Sequence, residues 1–90
     1  MKKILITGCA GFIGFNLCRY LLKKKYHVVG IDTINNYYST KLKKERLRII
    51  SKFDNFYFNK IDIGDLKNLS KLFKRNKFEI IVNLAAQAGV

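Results

Sequence analysis

Ninety residues set the scale of one small domain, and a small domain buries a lower share of its surface than a large one. Nearly half of the residues are apolar, with seven Phe and five Tyr, a composition that excludes a disordered tail. Eighteen Lys and Arg stand against six Asp and Glu, for a net charge of +12. These cations are spread along the chain, with clusters at Lys23 to Lys25 and Lys41 to Arg48, where helix ends and faces are expected. A solvated basic face is therefore the reading, and no nucleic-acid partner is expected from charge alone.

Cys9 and Cys18 are too far apart in sequence for a C-x-x-C pair and His27 is the sole histidine, so no metal site is expected. Thiols of this kind suit a reducing cytoplasm. No apolar run approaches the ~20 residues of a membrane span, and no membrane partner is expected. Ile6-Thr7-Gly8-Cys9 imitates a lipoprotein cleavage box, but only Ile4-Leu5-Ile6 precede it, far short of the about 7–15 apolar residues of a signal peptide. The expected setting is cytoplasmic.

Along the chain, Lys2 to Thr7 is a short apolar strand that stops at Gly8. From Phe12 the period changes, and Ile13, Leu17, Tyr20, Leu21 and Lys24 mark one stripe of a helix that ends across Lys23 to Lys25. His27 to Asp32 reads as a second strand. An irregular stretch, Thr33 to Thr40, leads to a second helix from about Lys41 to Ile50, with Leu42, Leu47 and Ile50 inward. Asn55 to Ile61 alternates as a third strand. Asp65 begins a third helix with Leu66, Leu69, Leu72 and Phe73 on one face, and Phe78 to Leu84 is a fourth strand. Strands alternating with helices imply βαβ units and a parallel sheet, here a Rossmann-like three-layer α/β fold with strand order 3-2-1-4.

The strongest local signal is Thr7-Gly8-Cys9-Ala10-Gly11-Phe12-Ile13-Gly14, a G-x-x-G-x-x-G loop between the first strand and the first helix. Gly8 permits the turn off the strand, Gly11 lets backbone approach a pyrophosphate, and Gly14 allows close packing of the helix. The helix start, at Phe12 and Ile13, offers unpaired N–H groups and a positive dipole end. Asp32 follows Gly14 by eighteen residues, close to the ~20-residue spacing of a carboxylate that accepts hydrogen bonds from an adenosine ribose. That carboxylate repels a 2′-phosphate, so NAD is favoured over NADP.

The spacing T-G-x-x-G-x-x-G resembles that of the NAD-dependent nucleotide-sugar epimerases and dehydratases, extended members of the short-chain dehydrogenase/reductase superfamily. Three further segments carry the resemblance across the whole chain. Asp62-Ile63 matches the acid-plus-aliphatic pair that lies against the adenine in that family, and Leu84-Ala85-Ala86 matches its small-residue turn beside the cofactor. Asp32-Thr33-Ile34-Asn35-Asn36-Tyr37-Tyr38, with Leu42-Lys43, Arg46-Leu47 and the ending Ala85-Ala86-Gln87-Ala88-Gly89-Val90, is similar to the subgroup acting on UDP-glucuronate. Asn35 or Asn36 is a further candidate for the adenosine. The resemblance implies reversible inversion at C4 of a UDP-glucuronate-like nucleotide sugar through a 4-keto intermediate, with NAD recycled. A dehydratase or decarboxylase of the same family, or an NAD-binding module without catalysis, stays open; a basic nucleic-acid-binding protein is the remote reading.

The family's catalytic base is a tyrosine in a Y-x-x-x-K pair beyond the fourth strand, so no residue of this chain is expected to be catalytic. Tyr20 with Lys24, and Tyr37 with Lys41, have the spacing but not the position. The expectation is that residues 1–90 are the N-terminal part of an NAD-binding domain, inactive alone, without the substrate domain, and homodimeric only at full length. Cys9 is expected to be a small filler, and His27 is given no role.

Overall fold

The computed structural model describes residues 2–34 and 40–85. Its elements are β1 (Lys3–Thr7), α1 (Phe12–Lys23), β2 (His27–Asp32), α2 (Thr40–Ile50), β3 (Phe56–Lys60), α3 (Leu66–Arg75) and β4 (Ile80–Asn83). The sheet has the order β3-β2-β1-β4, and each neighbouring pair is parallel, with Ile4 opposite both Val28 and Ile80. Element order and topology are those expected; the outer strands are shorter than the sequence pattern implies. No helix among the described residues is long and apolar enough to cross a membrane.

Alternation along β1 and β2 sends side chains into two separate cores. On one face Ile4, Ile6 and Val28 join Phe15, Cys18, Leu22 and Ile50 from α1 and α2. On the other, Leu5, Val29 and Ile31 meet Leu72 of α3. Each such fully buried aliphatic side chain contributes about 1.5–3 kcal/mol of burial. Near-continuous apolar runs in the interior strands follow from this two-sided burial.

The helix faces correct three expectations. The inward row of α1 is Gly14, Phe15, Cys18 and Leu22, whereas Ile13 and Tyr20 are exposed. A glycine and a cysteine give little hydrophobic signal, so apolar periodicity drew the stripe one residue out of phase. In α2 the inward positions are Lys43, Arg46, Leu47, Ile49 and Ile50, and Leu42 is exposed. In α3 Leu72 is buried and Leu69 half-buried, but Leu66 and Phe73 face outward. Leu66 lies six residues before Leu72, which on a 3.6-residue helix turns it well away from the buried row.

Two local devices fix the ends of these helices. Asp65 caps α3, its side chain accepting from the Asn68 amide at 3.2 Å. Helix α1 ends in a Schellman motif, with the Tyr26 amide on the Leu21 carbonyl at 3.2 Å and the Lys25 amide on Leu22 at 3.0 Å. The left-handed position this motif requires is taken by Lys25, at φ 72°.

Candidate dinucleotide site

All four strands run the same way, so the turns that leave them gather along one edge of the sheet. The chain reverses between β1 and β4, and a ligand cleft in an open α/β sheet forms outside the strand ends at such a reversal.

The turn after β1 is built from backbone. Gly8 donates to the Ile31 carbonyl at 2.9 Å and Cys9 to the same oxygen at 3.2 Å, while the Gly11 amide returns to the Gly8 carbonyl at 3.1 Å. Gly8 has φ +71°, and a Cβ there would meet the Ala85 nitrogen at 2.9 Å. A Cβ on Gly14 would lie 2.2 Å from the Gly8 oxygen. The close packing that requires Gly14 is thus of the helix start against the backbone of the loop itself. Gly11 differs from both. Its Cβ would meet just the Gly8 oxygen, at 3.3 Å, with open space beyond.

Gly11 is the N-cap of α1 and brings no side chain to the helix start. The amides of Phe12, Ile13 and Gly14 therefore stand where an α-helix leaves its first donors without intrahelical partners. Phe12 and Ile13 are 70% and 67% exposed and flank the mouth of the loop. Open space at Gly11 together with these donors suits a diphosphate.

Asp32 ends β2 and is buried. Its Oδ2 accepts from the Ala10 amide of the glycine loop at 3.0 Å, and its Oδ1 accepts from the Ile34 amide at 3.0 Å. Lys43 of α2 donates to Oδ1 at 3.2 Å as a partly buried ion pair. Arg46, one turn on, donates from Nη1 to the Ala10 carbonyl at 3.2 Å and lies 5.8 Å from the Phe12 ring centre. The carboxylate is thus fixed against the loop by the Ala10 and Ile34 amides and the Lys43 ammonium.

On the far side of the loop, Thr7 ties β1 to the turn after β4. Its hydroxyl donates to Asn83 Oδ1 and accepts the Ala85 amide at 3.1 Å, and its carbonyl accepts the Leu84 amide at 3.2 Å. Leu84 and Ala85 are thereby placed beside Gly8. Beyond β3, Asp62 is exposed and its Oδ1 accepts the Gly64 amide at 2.8 Å, while Ile63 packs half-buried against the Leu5 cluster. Asn35, Asn36 and Ala86 lie outside the described residues, as does Tyr37. Of the candidates within them, Gly8, Gly11, Asp32, Asp62, Ile63, Leu84 and Ala85 fall at the ends of the strands or in the turns leaving them, and Phe12, Ile13 and Gly14 form the first turn of α1.

Thr7, Asn83, Lys43 and Arg46 were not among the candidates. The i, i+3 spacing of Lys43 and Arg46 with Leu47 and Ile50 is the signal that places both cations on the inward face. Tyr20 is exposed on the outside of α1, with Lys24 over its ring at 5.4 Å. Cys9 and Cys18 are fully buried. Desolvation pushes both thiols upward, Cys18 to about 12, and at Cys9 the neighbouring Cys18 and Asp32 add to the effect. Neither is an activated nucleophile. Among the described residues no cluster of His, Cys, Asp and Glu could hold a metal ion.

The sequence pattern of the GDP-mannose 4,6 dehydratase family matches residues 5–90. Protein CapI of Staphylococcus aureus is 53% identical over 88 residues, which are 98% of this chain and 26% of that protein. A UDP-glucuronate 4-epimerase of Thermodesulfobacterium geofontis is 41% identical over 90 residues, or 28% of its length. The chain thus spans little more than a quarter of either relative. Among solved structures, UDP-glucuronic acid 4-epimerase from Bacillus cereus, in complex with UDP-glucuronic acid and NAD, superposes with a TM-score of 0.83 at 42% identity, covering 98% of this chain and 27% of that one. dTDP-glucose 4,6-dehydratase from Bacillus anthracis, in complex with NAD, has a TM-score of 0.83 at 30% identity, covering 98% and 28%. With its pattern matched from residue 5 to the last, its sheet order and its glycine loop, the chain belongs to the GDP-mannose 4,6 dehydratase family, the epimerase and dehydratase family that the loop resembles.

Proposed function

We propose that this chain is the NAD-binding part of a nucleotide-sugar epimerase that interconverts UDP-glucuronate and UDP-galacturonate at C4. The observation that carries the cofactor reading is the junction at Ala10, whose amide holds the Asp32 carboxylate against a loop left open at Gly11. The helix start would take the diphosphate, Asp32 the adenosine ribose, Asp62 and Ile63 the adenine side, and Leu84 and Ala85 the side toward the nicotinamide. NAD, when bound, supplies a hydride acceptor and returns the hydride without net consumption. The choice of UDP-glucuronate is supported by 41% identity to the Thermodesulfobacterium epimerase and 42% to the Bacillus cereus enzyme, against 30% to the dehydratase.

On this reading the proton transfers belong to residues beyond Val90, and the full-length protein is the species to assay. Titration calorimetry should detect NAD binding that is lost in Gly11→Val and weakened in Asp32→Ala; unchanged affinity in Asp32→Ala would remove the ribose assignment. Incubation with UDP-glucuronate, followed by NMR of the sugar, should give UDP-galacturonate. Release of carbon dioxide, or a 4-keto-6-deoxy product from a neutral nucleotide sugar, would instead identify a decarboxylase or dehydratase.

A further inference from the structure

The peptide that joins Ala10 to Gly11 is held at both of its polar ends. Its N–H, on Gly11, donates to the Gly8 carbonyl at 3.1 Å within the loop. Its carbonyl, on Ala10, accepts from Arg46 Nη1 at 3.2 Å, a donor that stands on α2 thirty-six residues further on. Ala10 is fully buried, and a buried carbonyl without a partner is costly. The guanidinium is thus what keeps that oxygen turned toward α2. Gly11 has no Cβ to resist rotation of the peptide, and beside it the loop is open. A rotation that released the oxygen would break the Gly11–Gly8 bond with it. The carbonyl would then be free to face the open space, where its negative end repels an anion. The same guanidinium lies 5.8 Å from the centre of the Phe12 ring, within cation–π range. Phe12 is the first residue of α1 and largely exposed, so a ring at the mouth of the loop is tied to α2 through Arg46. A planar guanidinium can offer its face to a ring and its edge to an acceptor; an ammonium has no face.

We propose that Arg46 is a positioning residue for the diphosphate of the dinucleotide, acting through the Ala10 carbonyl and the Phe12 ring rather than by touching the cofactor. The inference rests on the cofactor reading given above and adds the residue of α2 that sets its loop. Two anchors converge on Ala10, since Asp32 takes its amide at 3.0 Å and Arg46 its carbonyl. The end of β2 and the middle of α2 therefore fix the loop before any ligand arrives. The donors at the helix start then meet a diphosphate without a further cost of ordering.

The test uses the full-length protein. NAD affinity is read by titration calorimetry, and loop order by deuterium uptake of the segment from Gly8 to Gly11 without cofactor. Arg46→Met should weaken NAD by about tenfold, the equivalent of one hydrogen bond to a charged group. Uptake from Gly8 to Gly11 should rise in the same variant while β1 and β2 keep native protection. A folded Arg46→Met protein with native NAD affinity overturns the proposal and leaves the NAD assignment standing. So does weakened NAD with native uptake in the loop, because Arg46 would then meet the cofactor directly. Uptake raised equally through β1 and β2 overturns it too, since the role would be general stability of the fold. Arg46→Lys is the arm to read if Arg46→Met does not fold. It keeps the charge, loses the planar face, and should weaken NAD by about threefold with a smaller rise in loop uptake. A lysine variant equal to the native protein in both readouts shows that charge alone suffices and overturns the positioning role. Native protein that binds no NAD removes the cofactor reading and this inference together, an outcome that appears before any substitution is made.

Discussion

Gly14 in the first turn of α1 stands so close to Gly8 that a Cβ on it would lie 2.2 Å from the Gly8 carbonyl oxygen and 2.9 Å from its carbonyl carbon. Both groups are backbone, so no side chain can rotate aside. The Gly8 carbonyl also accepts the Gly11 amide, which links helix start, turn and strand end in one hydrogen-bonded unit. Gly14→Ala is expected to destabilise the fold by about 3 kcal/mol, the upper range for overpacking of a closed site. Urea denaturation measures this directly. A loss below 0.5 kcal/mol, roughly the limit for an innocuous surface change, would mean that the helix can withdraw from the loop.

Thr7 offers a second probe, this time of the joint between β1 and β4. Its hydroxyl satisfies both Asn83 Oδ1 and the Ala85 amide, and the residue is buried. Thr7→Val keeps the shape and removes both bonds, which should cost about 1–3 kcal/mol because two polar groups lose their partner. Thr7→Ser keeps the oxygen and should recover most of that loss. Thermal melts of the two variants side by side separate the hydroxyl from the methyl.

Lys25 points the other way, toward a gain. It holds the left-handed position of the Schellman motif at φ 72° with its side chain exposed. Glycine takes that conformation without a Cβ penalty, so Lys25→Gly should stabilise the protein by about 1 kcal/mol. Denaturation midpoints at equal slope provide the comparison. A destabilised variant would show that the lysine stem contributes packing that outweighs its backbone strain.

The two buried thiols make stability depend on alkaline pH. Burial raises Cys18 from 9.0 to about 12 in the folded chain, so between those values the unfolded chain has released a proton that the folded chain keeps. The contribution is therefore fully present below pH 9.0 and falls as pH climbs toward about 12. Stability against urea should decline over that interval, and the decline should be shallower in Cys18→Ala. In the native protein at neutral pH, iodoacetamide should react with both cysteines far more slowly than with a free thiol.

These features were legible in the sequence to very different degrees. Glycine spacing after an apolar strand, followed by Asp32, was enough to place the loop and its acidic neighbour, and the alternation of strands with helices was enough for the strand order. Such signals are local and depend on residue types with few other uses. The inward face of α1 was not legible, because Gly14 and Cys18 carry its packing with almost no hydrophobic mark. The inward cations of α2 were missed for a related reason. A search for apolar stripes takes Leu42 as buried and Lys43 as solvent-facing, whereas the carboxylate of Asp32 and the carbonyl of Ala10 reverse that order. Thr7 and Asn83 meet across seventy-six residues, and nothing in either local segment announces the contact.

The two cores that lie on opposite faces of the sheet do not own separate strands. Ile4 and Ile6 serve one and Leu5 the other, while Val28 and Val29 divide in the same way on β2. Helix α3 holds its face through Leu72 with support from Leu69, so it can lift away while the β1–β2 ladder and the α1–α2 side persist. The amides of β1 and β2 are released to solvent only when both faces open at once. Their deuterium uptake should therefore be the slowest in the chain and uniform across the two strands, with α3 exchanging earlier as a smaller cooperative unit.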